Sequence, residues 1–173
     1  MTLFLDRDGV INRRLIDDYV KTPDEFVFED GALEAIAKLS KCFERIVVVT
    51  NQQGIGKKLM TEQTLHEIHE YMKNQVEKAG GRIDAIYFCP DLKHSKSIFR
   101  KPNVGMGLLA KRQFSNIRFK QSVMVGDSIS DMKFGKKLGM KTIFISNDKL
   151  LVASYSKLID QNFNSLSEYA KTC

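Results

Sequence analysis

The sequence predicts an α/β fold with a doubly wound, mostly parallel sheet, and three observations carry that expectation. Five short runs of apolar, β-branched or aromatic residues each end at glycine or polar residues. Longer stretches with apolar residues at helical spacing separate them. The runs are apolar throughout rather than alternating, as strands covered on both faces are.

The expected strands are Leu3 to Leu5, Ile46 to Thr50, Ala85 to Cys89, Ser122 to Val125 and Thr142 to Ile145. A helix over 31–41 sets Leu33, Ile36, Ala37 and Leu39 mostly on one face. The next, over 61–79, starts at Thr61 as N-cap and repeats Leu65, Ile68, Met72 and Val76 at helical spacing. Further helices are expected over 106–114, 129–138 and 166–171, the last introduced by a capping box from Ser165 to Glu168. The sequence leaves open whether the tail after Asn147 packs on the core or on a partner.

At 173 residues the chain is expected to be one domain, 1–173. With 43% hydrophobic and 28% charged residues it is not a disordered or low-complexity chain. Apolar runs such as Ile46 to Val49 fall far short of the ~20 residues of a membrane span. Asp6 interrupts the N-terminal apolar stretch before it can read as a secretory signal. Cys42, Cys89 and Cys173 are an odd, widely spaced set, which fits a reducing compartment and a cytoplasmic location. Charge is uneven: residues 1–86 carry 12 basic and 15 acidic side chains, a net −3, whereas 87–173 carry 15 basic and 6 acidic, a net +9. The basic residues are dispersed and lack interleaved aromatics, so nucleic acid is not the expected partner.

Doubly wound sheets place their chemistry beyond the C-terminal strand ends, and the polar residues fall there. Asp6-Arg7-Asp8-Gly9 follows the first strand, Thr50-Asn51 the second, and Gly126-Asp127-Ser128 the fourth, with Asp131 one helical turn on. Arg100-Lys101-Pro102 stands at a helix entrance before the fourth strand. Carboxylates from two strand ends are hard oxygen ligands suited to magnesium. An aspartate is a competent nucleophile towards phosphorus. A lysine, a hydroxyl and a metal neutralise the charge of a transferring phosphoryl group. Of two carboxylates two residues apart, one can stay ionised while the other handles a proton. Asp127 could also cap the following helix, serving both roles, and Asp131 could either orient the site from behind or be solvated on its helix.

These four stretches, Phe4 to Val10, Val48 to Asn51, Arg100 to Pro102 and Val125 to Asp131, resemble the four ordered motifs of the haloacid-dehalogenase superfamily of phosphatases. Within it, Asp6 to Asn12, Asp18-Tyr19-Val20, Phe28 to Gly31, Thr50 to Gly56 and Arg100 to Met106 are similar to the D-glycero-D-manno-heptose-1,7-bisphosphate phosphatases and the related histidinol-phosphatases. The resemblance implies a Rossmann-like core and a magnesium-dependent phosphomonoesterase acting on a small phosphorylated metabolite. It implies Asp6 as nucleophile and Asp8 as general acid/base. Magnesium would sit on Asp6, the backbone carbonyl of Asp8, and Asp127. Thr50 and Lys101 would bind the phosphoryl group; Asn51, Arg100, Asp18 and Tyr19 would contact or shape the substrate pocket.

The resemblance breaks at the zinc-binding loop those sugar phosphatases usually carry. Cys89 stands at the first ligand position, but Asp91 replaces the histidine, and Ser97 and Phe99 replace a Cys-x-Cys pair. One thiolate and a displaced His94 cannot close a tetrahedral site, so no zinc is expected. No large cap domain is expected either: residues 10–30 and 51–100 leave no room for an independent unit of ~50 residues.

Other features invite weaker readings. Gly54-Ile55-Gly56-Lys57-Lys58 fails the P-loop pattern, because position 58 is neither Ser nor Thr. His66 and His69, with Glu62 and Glu70, read as a solvated helix face rather than a metal site. Lys133, Lys136, Lys137 and Lys141 read as an exposed face, and Cys89 as a core thiol. Two rival functions remain: repair of nucleic-acid 3′ ends, and a receiver-like switch combining Asp, Thr and Lys. An acid two residues after the nucleophile favours turnover over a long-lived phosphate.

Overall fold

The computed structural model describes residues 1–16 and 18–173. Six parallel strands form one sheet in the order β3-β2-β1-β4-β5-β6. They are β1 (Thr2–Leu5), β2 (Arg45–Asn51), β3 (Ala85–Cys89), β4 (Val123–Gly126), β5 (Lys141–Ile145) and β6 (Gln161–Phe163). Residues on β1 pair with β2 on one side and β4 on the other, Leu5 lying opposite both Val48 and Val125. Strand order therefore reverses at β1, and the crevice beyond β1 and β4 is the topological switch point.

Because successive strand residues point to opposite faces, one set of strands builds two cores. Leu3, Leu5, Ile46, Val48, Val123 and Val125 pack with Ile36 and Leu39 of α1 (Ala32–Cys42), Leu65, Ile68 and Met72 of α3 (Glu62–Lys78), and Leu166 of α7 (Leu166–Ala170). Phe4, Val47, Val49 and Met124 pack on the other face with Met106 and Ala110 of α4 (Gly105–Gln113) and Phe134 of α5 (Ile129–Leu138). Both cores are sealed from water, so the continuous apolar runs are what this sheet requires.

The local signals act as their chemistry demands. Thr61 accepts from the Thr64 amide at 3.0 Å and Ser165 from the Glu168 amide at 3.1 Å, each starting its helix. On α1 it is Ala32 and Ala35, with Ile36 and Leu39, that are buried; Leu33 and Ala37 are only half-buried. The tail forms α6 (Lys149–Ser154), the edge strand β6, and α7 packed on α1. β6 is short and polar, an edge strand without an apolar run to announce it, and the four-residue α2 (Gln53–Gly56) was equally silent. Between β1 and α1 the described residues form the isolated bridges Asp8–Asn12 and Asn12–Phe28 and a 3-10 turn at Pro23–Glu25, and among them no cap domain covers the strand ends. Among the described residues no helix is long and apolar enough to cross a membrane.

Candidate active site

The backbone sets the site before any side chain does. The Asp6 amide donates to Val125 O at 2.9 Å, which ties the end of β1 to β4. The chain then turns sharply: Val10, Ile11 and Asn12 amides all converge on Arg7 O, and Gly9 donates to Asn12 O at 2.7 Å. None of these bonds uses the Asp8 carbonyl. Gly9 has φ +85°, and a Cβ there would collide with the Asp127 carboxylate. Glycine is therefore required twice at this position, for its dihedral and for the approach of the two loops.

Asp6, Asp127 and Asp131 each offer a carboxylate oxygen, all within 4.8 Å of one another. Lys101 is buried among them, its ammonium 2.8 Å from Asp6, 2.6 Å from Asp131 and 2.6 Å from Val49 O. Burial alone would drive the lysine pKa down, but Asp131 and Asp6 outweigh it and hold it above the usual value. Burial and the Asp131 charge push Asp6 up, against the pull of Lys101. Burial and the Asp6 charge push Asp127 up likewise, although Arg14 reaches it at 2.8 Å. Asp127 Oδ1 is buried without a hydrogen-bond partner. Crowded, desolvated hard-oxygen donors with an unpartnered oxygen fit a divalent cation.

Asp8 is treated differently. Its carboxylate receives Arg7 at 2.9 Å, Asn12 at 3.0 Å and Gln52 at 2.7 Å. Burial pushes its pKa up, yet the Arg7 charge and these three donors prevail and hold it below the usual carboxylate range. Two aspartates two residues apart thus have opposite electrostatics. Gln52 also donates to Thr50 Oγ1 at 2.8 Å, joining the ends of β1 and β2.

Asn51 clamps the Lys101 backbone from both sides, accepting from its amide at 3.0 Å and donating to its carbonyl at 3.2 Å. Arg100 donates to Asp91 O at 2.9 Å. Tyr19 accepts from Gln53 at 2.7 Å, with Lys57 over its ring. Asp6, Asp8, Asp18, Tyr19, Thr50, Asn51, Arg100 and Lys101 all border one open cavity of about 530 Å³. Within it Asp18 is exposed, and hydrogen bonding from Lys21 at 2.9 Å keeps its pKa low.

The structure decides two alternatives the sequence left open, at Asp131 and Asp127, and corrects one expectation, at His69. Asp131 is not solvated: it is fully buried, pairs with Lys101, and accepts from the Ser128 amide and hydroxyl at 3.1 and 2.6 Å. Asp127 does not cap α5; Ser128 does, in a capping box with Asp131. His69 is not on a solvated face but 3% exposed, its Nε2 3.4 Å from Arg7. Arg7, Asn12, Gln52 and Arg14 were not singled out in the sequence. Arg7 and Gln52 lie within recognisable motifs, but nothing in residue type says that an arginine between two aspartates turns inward.

In the loop after β3, the Cys89 thiol donates to Asp91 at 3.4 Å and lies 3.6 Å from Ser97. Burial holds its pKa above the usual thiol value. Lys133, Lys137 and Lys141 are exposed, while Lys136 is half-buried and reaches Asp160 at 2.6 Å.

Residues 3–149 match the family described as "Polynucleotide kinase 3 phosphatase". The chain is 36% identical to the D-glycero-alpha-D-manno-heptose-1,7-bisphosphate 7-phosphatase of Mycobacterium bovis over 97% of its length and 88% of that protein. It is 36% identical to the D-glycero-beta-D-manno-heptose-1,7-bisphosphate 7-phosphatase of Neisseria meningitidis over 98% of its length and 87% of that protein. Among solved structures, the D,D-heptose 1,7-bisphosphate phosphatase of B. bronchiseptica, complexed with magnesium and phosphate, superposes with a TM-score of 0.89 at 30% identity. That match covers 99% of this chain and 96% of the other.

Proposed function

The chain belongs to the polynucleotide kinase 3 phosphatase family of haloacid-dehalogenase-like phosphatases, and from that premise we propose that this phosphatase hydrolyses a D-glycero-D-manno-heptose 1,7-bisphosphate at the 7-phosphate with magnesium as cofactor. The observation that carries the chemistry is the buried cluster of Lys101 with Asp6, Asp127 and Asp131, beside an Asp8 held in the opposite electrostatic state.

In this reading an Asp6 oxygen attacks phosphorus in line with the sugar oxygen, forming an aspartyl-phosphate as the P–O bond to the sugar breaks. Asp8, ionised at rest, takes up a proton when a phosphate dianion is placed beside it, and gives that proton to the departing oxygen. It then removes a proton from the water that attacks the aspartyl-phosphate, returning Asp6 and inorganic phosphate. Lys101 and Thr50 hold the transferring phosphoryl oxygens. Asp6, Asp127 and the Asp8 backbone carbonyl would hold magnesium, which supplies further neutralisation of phosphoryl charge. Asn51, Arg100, Asp18 and Tyr19 border the space for the sugar and its second phosphate. The Cys89 loop takes no zinc in this reading. Three free cysteines, two of them exposed, support a cytoplasmic setting.

Phosphate release tests the proposal. The panel holds heptose 1,7-bisphosphate in both anomers, histidinol phosphate, common sugar phosphates and a 3′-phosphorylated oligonucleotide, each with magnesium and with chelator. Preference for a heptose anomer, abolished by chelator and by Asp6→Asn, is expected. Preference for histidinol phosphate or the oligonucleotide would keep the chemistry and replace the substrate. A fully active Asp6→Asn enzyme would remove the assignment of the nucleophile.

A further inference from the structure

His69 belongs to none of the residues that face substrate. It lies on the inner face of α3, among Leu65, Ile68 and Met72, where an apolar side chain would be expected. Its Nε2 stands 3.4 Å from Arg7 Nη1, and the other terminal nitrogen of the same guanidinium donates to Asp8 at 2.9 Å. Arg7 is 1% exposed, its Nε has no partner, and Phe26 lies under the guanidinium at 5.9 Å. An arginine keeps its charge in any such setting and brings five N–H donors in one rigid plane. Every acceptor offered to it therefore counts, and His69 is one of only two side chains within hydrogen-bonding distance of it among the described residues.

An arginine can only donate, so Nε2 must be the unprotonated ring nitrogen. Burial, and next the charge of Arg7, keep the ring neutral. The imidazole thus acts as a fixed acceptor. It holds one end of the guanidinium plane, and because that plane is rigid, the other end is aimed at Asp8. Asn12 and Gln52 complete the grip on the carboxylate. Asp8 itself is 22% exposed at its side chain, enough to meet a ligand in the cavity.

We propose that His69, acting through Arg7, is a positioning residue for Asp8: α3 reaches the proton-transfer group through a buried imidazole–guanidinium–carboxylate chain. The inference rests on the reading of Asp8 as general acid given above. General acid catalysis matters in proportion to how poorly the leaving group departs unaided. A misplaced Asp8 therefore slows release of a sugar alkoxide and hardly affects release of p-nitrophenolate. A structural defect in α3 would slow both alike.

The test compares kcat/KM, which reports steps through the first phosphoryl transfer, for a sugar phosphate and for p-nitrophenyl phosphate. The magnesium-loaded wild type is measured beside His69→Leu, His69→Gln and Asp8→Asn. With His69→Leu, kcat/KM for the sugar phosphate is expected to fall on the order of 30- to 100-fold, and for p-nitrophenyl phosphate less than about threefold. His69→Gln offers an amide oxygen to Arg7 and is expected to recover most of the loss. Equal losses on both substrates, or no recovery with glutamine beyond that of leucine, would overturn the proposal. If His69→Leu does not fold, His69→Gln decides alone: it must fold and keep the wild-type ratio between the two substrates. Asp8→Asn separates the two ideas. If it lacks the leaving-group-dependent loss, the reading of Asp8 fails; if it shows that loss and His69→Leu does not, only the role of His69 fails.

Discussion

The ammonium of Lys101 lies 2.8 Å from a carboxylate oxygen of Asp6, and both side chains are almost wholly enclosed. The same ammonium also lies 2.6 Å from Asp131 and 2.6 Å from the Val49 carbonyl. Asn51 fixes the Lys101 backbone from both sides, which sets where its side chain begins beside the carboxylates it neutralises.

Removing that cation leaves buried carboxylates uncompensated. Lys101→Met is expected to lose roughly 3–5 kcal/mol of unfolding free energy in chelator, the usual cost of breaking a buried pair from one side. Saturating magnesium should recover part of it, since a ligand that binds only the folded state stabilises it. Urea unfolding with and without magnesium measures both effects. A variant within about 1 kcal/mol of wild type in chelator would deny the pair this role. Turnover should fall at least ~100-fold.

Asp6 and Asp127 are raised from 3.8 to about 6 and about 8. Between the unfolded value and these folded values the native state holds more protons than the unfolded chain, so these two groups make stability fall as pH rises from about 4 to about 8. Asp8, held low, acts in the opposite sense: its contribution is present above 3.8 and is lost as pH falls through its folded value. Magnesium must displace the protons on the raised pair. Titration calorimetry in two buffers of different ionisation enthalpy should therefore show proton release on binding near pH 6–7, declining as pH rises through about 8. Proton-neutral binding at pH 6.5 would contradict the arrangement.

Gly9→Ala tests the turn that brings the Asp8 backbone against Asp127. The φ of +85° costs an alanine about 1–2 kcal/mol, and its Cβ would collide with the Asp127 carboxylate. The expected result is weaker magnesium binding and a fall in kcat of ~100-fold with the circular dichroism spectrum unchanged. Wild-type magnesium affinity would show that the turn tolerates a side chain.

Metal analysis of the purified protein is expected to show no stoichiometric zinc. The Cys89 thiol is engaged with Asp91 and near Ser97, and burial keeps it protonated rather than thiolate. One zinc per chain would mean that His94 and another donor close on Cys89 after all.

The sequence by itself determined five strands of the sheet and the edge that carries the polar residues. A strand buried on both faces must be apolar throughout, and it must stop where polar residues begin. The runs Leu3 to Leu5 and Ser122 to Val125 therefore marked both the strands and the edge on which Asp6 and Asp127 stand. What only the tertiary structure decided is which polar side chains turn inward from residues with no apolar period to guide them. His69 occupies a core position on a helix whose neighbouring His66 is exposed, and residue type does not separate the two. Asp131 is buried because it finds an opposite charge, Lys101, from a distant segment, whereas Arg7 pairs with its sequence neighbour Asp8 and is met by His69 from α3. A buried charge is tolerable only beside its partner, and the Lys101–Asp131 pair exists only once the loop before α4 and the start of α5 have been brought together. Strand β6 was hidden for a related reason: at a sheet edge, pairing with β5 supplies the stabilisation that an apolar run would otherwise have to provide.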